Sequence, residues 1–190
     1  DRTIGILRDL HFSNILIVVG YKAEMFRKYE ADDVTLIVNK DYEFTASMGS
    51  LALAKDYVKE DFLLIESDTF YERRLIEQLA ARTEGNCLSM TEESGSGDEC
   101  FMETKNGFVT KITKDRHRVC HFEGEMIGVS RITLDTFEML VNAWEHASNP
   151  YLNYEYLLMD VTEPLDRPVI VLKNLIWGDV DCEEDFKKLH

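Results

Sequence analysis

Three stretches of this sequence carry residue types that could do chemistry together. The first is Asp68, which ends the apolar run Phe62-Leu63-Leu64-Ile65-Glu66-Ser67. In open α/β sheets ligands bind beyond the carboxyl ends of the strands, so a carboxylate emerging there is placed to meet one. A plainer alternative is that Asp68 or Thr69 caps the helix that follows. The second stretch is Trp177-Gly178-Asp179-Val180-Asp181. In an extended segment Asp179 and Asp181 point to one face, because side chains alternate with period two. Two acids converging on one side are costly unless solvent, a cation or a donor compensates them. Capping competes here too, since Asp181-Cys182-Glu183-Glu184 has the form of a capping box opening a terminal helix. The third stretch is Thr45-Ala46-Ser47-Met48-Gly49-Ser50-Leu51, small and hydroxylated residues leading into a helix. Free backbone N–H groups at a helix N-terminus, with hydroxyls beside them, suit a phosphate or a base edge, although most such stretches only cap.

The elements that must position these residues alternate in the first half of the chain. A helical pattern over Arg2 to His11 precedes a buried strand over Asn14 to Gly20. Further strands are predicted over Val34 to Asn39 and Asp61 to Ser67, with helices over Ser50 to Lys59 and Glu72 to Arg82. Near-continuous apolar strands separated by helices are the signature of a parallel sheet covered on both faces. From Cys87 to Arg131 the rhythm changes to strand-like stretches with no good helix between them, broken by Glu93-Ser94-Gly95-Ser96-Gly97-Asp98 and by Asn106-Gly107. Asn-Gly between β-like runs is a strong hairpin signal. Helices over Thr133 to His146 and Tyr151 to Val161 follow, then a strand over Pro168 to Lys173 and a short helix after Asp181. The expectation is a single α/β domain over 1–190, a Rossmann-like three-layer arrangement whose mixed, mostly parallel sheet carries helices on both faces and an antiparallel extension.

Composition narrows the function classes. A chain of 190 residues with 45% hydrophobic and 30% charged residues is a globular protein with a sizeable core. No apolar run approaches the ~18 residues that cross a bilayer, and no signal peptide opens the chain. The formal net charge of -15 argues against nucleic acid or an anionic membrane as partner. It suits divalent cations and substrates carrying an amine. Cys87, Cys100, Cys120 and Cys182 form no C-x-x-C pair, so a zinc site or disulfide framework is not indicated, and a cytoplasmic protein with reduced thiols is expected. There is no Walker A loop, no G-x-G-x-x-G and no nucleophile elbow. His117 and His121 lie in a polar loop and read as surface residues, and Trp144, Tyr151, Tyr154 and Tyr156 as core or helix-surface aromatics.

In order along the chain, several segments resemble the sugar-nucleotide and phosphocholine nucleotidyltransferase family. Ile15-Leu16-Ile17-Val18-Val19-Gly20-Tyr21-Lys22-Ala23-Glu24 is similar to that family's second strand and glycine-tyrosine turn. Asn39-Lys40-Asp41-Tyr42 followed by Ser50-Leu51 resembles its nucleotide-contacting segment, and Phe62 to Asp68 its strand ending in a metal-binding aspartate. Met126-Ile127-Gly128-Val129-Ser130 resembles the strand lining the acceptor pocket, and Trp177 to Asp181, with Asp185-Phe186, the closing element that supplies the second metal carboxylate. The chain departs from the pattern at Ser67-Asp68, where relatives show Gly-Asp, and at Ala46 and Ser47, where they often carry Asn. The family's first strand, its G-x-G-x-R loop and a Pro-Lys are not in this sequence; the resemblance implies that they would precede Asp1 by about 25 residues, one βα unit. Without that loop, residues 1–190 are expected to bind nucleotide poorly.

The resemblance implies transfer of a nucleoside monophosphate, with CTP as the favoured donor, to a small phosphorylated acceptor such as phosphocholine or an aminoalkylphosphonate, releasing pyrophosphate. It implies Mg²⁺ held by Asp68 and Asp181, which are also the catalytic pair, with Asn39, Ser47 and Ser50 on the nucleotide. Beside it, Tyr154, Glu155 and Asp179 are chosen for the acceptor side, and Lys114, after the hairpin, for the acceptor phosphate, with a solvated loop lysine as its plainer reading. A sugar-1-phosphate nucleotidyltransferase is the alternative activity, and a non-catalytic homologue kept for binding or assembly is the alternative class.

Overall fold

The computed structural model describes residues 1–180. In chain order its elements are α1 (Arg2–Asp9), β1 (Ile15–Val19), β2 (Val34–Val38), α2 (Ser47–Ala52), β3 (Phe62–Ile65), β4 (Thr69–Tyr71), α3 (Arg73–Ala80), β5 (Cys87–Thr91), β6 (Phe101–Lys105), β7 (Phe108–Thr113), β8 (Gly124–Ile132), α4 (Leu134–Glu145), α5 (Tyr154–Val161), β9 (Val169–Val171) and β10 (Trp177–Asp179). They fall into two compact units, one built from Asp1–Glu60 and Leu134–Val161, the other from Asp61–Thr133 and, among the described residues, 162–180. The helix expected after Asp181 lies outside the described residues.

In the first unit β1 and β2 pair in parallel, from Ile15 opposite Val34 to Val19 opposite Val38. A parallel pair needs a crossover rather than a tight turn, and a 3₁₀ stretch over Ala23–Tyr29 supplies it. Arg8, in the last turn of α1, grips Asp33 with two bonds of 2.6 and 2.8 Å just ahead of β2. The helix expected from Ser50 begins at Ser47 instead and tightens into a 3₁₀ turn over Leu53–Asp56. Its buried side, Met48, Leu51 and Ala52, packs toward α4, where Phe137 and Leu140 are fully enclosed.

The second unit is organised by β8, nine residues long and buried at eight of them. One edge of β8 pairs antiparallel with β5, which in turn pairs parallel with β9. The other edge is shared, with β3 along Val129 to Ile132 and β6 along Gly124 to Glu125. The sheet is therefore mixed, and the β6–β7 hairpin is the antiparallel extension expected from the sequence. Its turn is Asn106-Gly107, at φ of 55° and 81°. Both central residues are left-handed, as a two-residue hairpin turn of the primed type requires. Leu75, Leu79, Leu88, Met102, Ile127 and Ile132 have no exposed surface and form the core of this unit.

Candidate active site

Asp68 lies in the turn between β3 and β4, with its residue exposed to solvent. It does not cap a helix: Thr69–Tyr71 is a strand, and α3 starts only at Arg73, with Glu72 in the cap position. β4 pairs antiparallel with β10, setting Thr69 opposite Asp179. The Thr69 hydroxyl donates to Asp179 Oδ1 at 2.8 Å, and the Val180 N–H donates to the Asp68 carbonyl at 2.8 Å. These two bonds fasten the first acidic stretch to the second. Asp179 is thereby placed beside the Asp68 turn, while Asp181 lies outside the described residues.

The approach to Asp68 is set by Gly128. The Glu66 N–H donates to the Gly128 carbonyl at 2.7 Å, and the Glu66 side chain lies directly over the glycine. A Cβ at position 128 would sit 2.7 Å from Glu66 Cδ and 2.9 Å from its Cβ. Gly128→Ala is accordingly expected to push Glu66 off β8 and disturb the turn two residues on, at the ~1–3 kcal/mol typical of overpacking. A thermal melt checks the stability cost. An unchanged melting temperature would show that Glu66 swings away freely.

Glu125 does not stand out in the sequence, yet it is the most deeply buried described acid of this unit, at 3% exposure. It stands on β8 opposite Thr91 of β5 and Phe101 of β6. Its two oxygens accept from the Ser94 N–H at 2.6 Å and the Ser94 hydroxyl at 3.2 Å. Burial pushes its carboxyl above the usual range; the two Ser94 bonds oppose this, and the charges of Glu99 and Asp179 add to it. In the sequence it is one of two acids, Glu123 and Glu125, that precede the apolar run starting at Met126. Its burial, however, depends on strands more than twenty residues away in sequence.

Lys114 is exposed, and its ammonium meets Asp98 Oδ2 at 2.8 Å, so the structure gives it a carboxylate neighbour in the Gly/Ser loop. His117 and His121 are exposed, as expected.

In the first unit the residues expected at the nucleotide cluster around a buried amide. Asn39 is 4% exposed. Its Nδ2 donates to Thr45 Oγ1 at 3.1 Å and Ser50 Oγ at 3.0 Å, and its Oδ1 accepts the Asp41 N–H at 2.9 Å. The amide therefore braces the loop between β2 and α2 across both ends. Ser47 performs a different task. Its hydroxyl accepts the Tyr154 N–H at 3.1 Å, capping the first turn of α5 from a neighbouring element. Tyr154 and Glu155, both buried, are thus tied to the start of α2. The amides expected to be free at this helix start are in part engaged: Met48 N–H donates to the Leu152 carbonyl and Gly49 N–H to the Ala46 carbonyl, each at 3.1 Å. The hydroxyls do not cap α2, whose N-cap is Ala46. Gly20 is needed where it stands, because a Cβ there would lie 2.6 Å from Tyr42 Cβ.

Among the described residues no group of three or more His, Cys, Asp and Glu side chains is placed to hold a metal ion, and no helix is long and apolar enough to cross a membrane.

No family model matches the chain. A CMP-5'-(3-aminopropyl)phosphonate synthase of Streptomyces rubellomurinus is 28% identical over 92 residues, 46% of this chain and 15% of that protein. A bifunctional IPC transferase and DIPP synthase of Archaeoglobus fulgidus is 26% identical over 190 residues, 98% of this chain and 36% of that protein. A choline-phosphate cytidylyltransferase of Haemophilus influenzae is 37% identical over 79 residues, 40% of this chain and 32% of that protein. The chain thus spans about a third or less of the length of these curated relatives. Among solved structures, an inositol-1-phosphate CTP transferase from T. maritima superposes with a TM-score of 0.78 at 16% identity, covering 98% of this chain and 79% of that one. The CTP:phosphocholine cytidylyltransferase LicC from Streptococcus pneumoniae gives a TM-score of 0.76 at 20% identity, covering 99% and 82%. The chain has the fold of these structures, and its relatives are consistent with a nucleotidyltransferase family.

Proposed function

We propose that this chain transfers CMP from CTP to a small phosphorylated acceptor carrying an amine or quaternary ammonium group, with release of pyrophosphate. The observation that carries the reading is the fastening of the Asp68 turn to the segment ending at Val180. Asp181 follows Val180 directly in the sequence. Relatives named for CMP-aminopropylphosphonate and choline-phosphate agree with it.

The reaction joins an acceptor phosphate oxygen to the α-phosphorus of the triphosphate and expels pyrophosphate. Two anions must meet, so the barrier is charge repulsion and alignment, and no protein nucleophile is required. Asp68 and Asp181 are the proposed pair for Mg²⁺. Hard carboxylate oxygens at an exposed turn fit that ion, which commonly takes one or two carboxylates and completes its shell with water and substrate phosphates. When bound, it supplies Lewis acidity and a template for the phosphates. Asp179 is assigned to the cationic end of the acceptor. Asn39 shapes the nucleotide loop from within, and Ser47 and Ser50 present hydroxyls at its end. The Ser50 hydroxyl, which accepts from Asn39, still has a proton to give, whereas the Ser47 hydroxyl already donates to Asn153 Oδ1 at 3.5 Å. Tyr154, Glu155 and Lys114 remain assigned to the acceptor side. Among the described residues Cys87, Cys100 and Cys120 form no disulfide, in keeping with a cytoplasmic setting.

Pyrophosphate release by the full-length protein from CTP, UTP, ATP and GTP, each paired with phosphocholine, aminoethylphosphonate and common sugar 1-phosphates, tests the reading. CTP with a cationic acceptor is expected to give the fastest release. Preference for a sugar 1-phosphate would transfer the chain to the alternative activity, and no release with any pair would favour a non-catalytic homologue.

A further inference from the structure

The loop between β5 and β6 has two fastenings that the transfer reaction does not account for. Residues 92–98 are all exposed, and Gly95 and Gly97 take left-handed backbone at φ of 72° and 94° with open space around them. Such a segment, rich in glycine and serine, has little packing of its own to hold it. At its root, however, Ser94 gives both its N–H and its hydroxyl to Glu125. At its far end, Asp98 meets the Lys114 ammonium at 2.8 Å. Inside it, Ser94 Oγ accepts the Ser96 N–H and Ser96 Oγ accepts the Asp98 N–H, so the turn is wound on its own hydroxyls.

The position of the root matters because of where β8 begins. β3 runs antiparallel to β8 from Ile132 down to Val129, and Glu66 continues that line onto Gly128. The chain therefore advances toward the Glu125 end of β8 as it reaches Asp68. β4 and β10 then place Thr69 against Asp179, whose charge acts on Glu125. A buried carboxylate costs free energy, and this one directs both its oxygens to a single serine of a solvent-exposed loop. A structure that needed only to fill the space could do so with an apolar residue.

We propose that Glu125 is a positioning residue: through Ser94 it holds the acidic loop Glu93 to Glu99 as a strap along the edge that carries Asp68 and Asp179, where the loop's Glu93, Asp98 and Glu99 favour an acceptor with a cationic end. The strap's role toward the acceptor rests on the proposed transfer of CMP. Glu125 itself touches neither substrate; it acts through the loop. Lys114 balances it from the other side by holding Asp98.

The test uses Glu125→Gln and Ser94→Ala in the full-length protein. A carboxamide offers one acceptor oxygen where the carboxylate offers two, which weakens the root alone; Ala removes the hydroxyl bond to Glu125 and, with it, the acceptor of the Ser96 N–H, so Glu125→Gln is the variant that isolates the root. Two readouts are taken. Limited proteolysis followed by mass spectrometry reads cleavage within 93–99; it needs no activity. Steady-state kinetics reads KM for the acceptor, KM for CTP and kcat separately. The proposal expects cleavage in the loop to accelerate in both variants, and acceptor KM to rise about tenfold, as for loss of one bond to a charged group, while CTP KM and kcat hold. Unchanged cleavage in both variants overturns the strap. Faster cleavage with unchanged acceptor KM overturns its role toward the acceptor. A wild-type protein that turns over no pair overturns the transferase reading and the acceptor role with it, and cleavage still decides whether Glu125 holds the loop.

Discussion

Asp68→Ala is expected to lower metal-dependent pyrophosphate release by about a thousandfold or more, since a metal's share of charge stabilisation is worth several kcal/mol. The protein should nevertheless melt where the wild type does. Asp68 is exposed, and its backbone carbonyl accepts the Val180 N–H, a fastening that any side chain preserves. An exposed substitution away from caps and cores costs within about 0.5 kcal/mol. A coupled pyrophosphate assay and a thermal melt on the same preparation separate the two effects. Undiminished turnover would remove Asp68 from the chemistry. Lost turnover with a lowered melting temperature would make it a structural residue.

Asn39→Ala is expected to do the reverse, costing stability first and catalysis as a consequence. Its amide spends both hydrogens on Thr45 and Ser50 and its oxygen on the Asp41 N–H, all with the residue almost fully enclosed. Truncation strands those partners, each at about 1–3 kcal/mol if it stays dry. With partial rehydration of the loop, a net loss of about 2–3 kcal/mol is expected, or roughly 5–10 °C in melting temperature for a chain of this size. The loop between β2 and α2 then loses its set shape, and KM for the triphosphate should rise about tenfold for each ~1.4 kcal/mol of lost ordering. Asn39→Asp should rescue only in part, because a carboxylate accepts from the Asp41 N–H and from a reoriented Ser50 hydroxyl, while the Thr45 hydroxyl already gives its proton to the Asp41 carbonyl. Differential scanning fluorimetry with and without CTP measures both parts. A melting temperature unchanged by Asn39→Ala would show that water replaces the amide without loss.

What can be read in the sequence is what is decided locally. The Asn106-Gly107 turn is plain, because two residues suffice to fix a primed turn. So are β1 and β2, whose apolar, β-branched runs suit few other environments. The short strand Thr69–Tyr71 instead reads as the approach to a helix, because three residues make a strand only when a partner is brought to them, here Trp177–Asp179. That same partnership decides against the cap at Asp68. Asn39 stands out for its likeness to a nucleotide-contacting position. Its brace to Thr45 and Ser50 is not legible, since irregular backbone joins the three. Ser47 belongs to the same stretch, yet its hydroxyl serves α5, 107 residues away in sequence. Glu125 is hidden for the same reason: its burial is a property of the sheet and its partner a property of the loop.

In the proposed reaction the bond broken lies between the α- and β-phosphates, and the nucleoside monophosphate goes to the acceptor. Two reactions of the full-length protein with phosphocholine, one using CTP labelled in the α-phosphate and one using CTP labelled in the γ-phosphate, decide it. The expected result is the α-label in a conjugate that depends on the acceptor and the γ-label in pyrophosphate. A γ-label on the acceptor, or an α-label recovered only as free CMP, would contradict it.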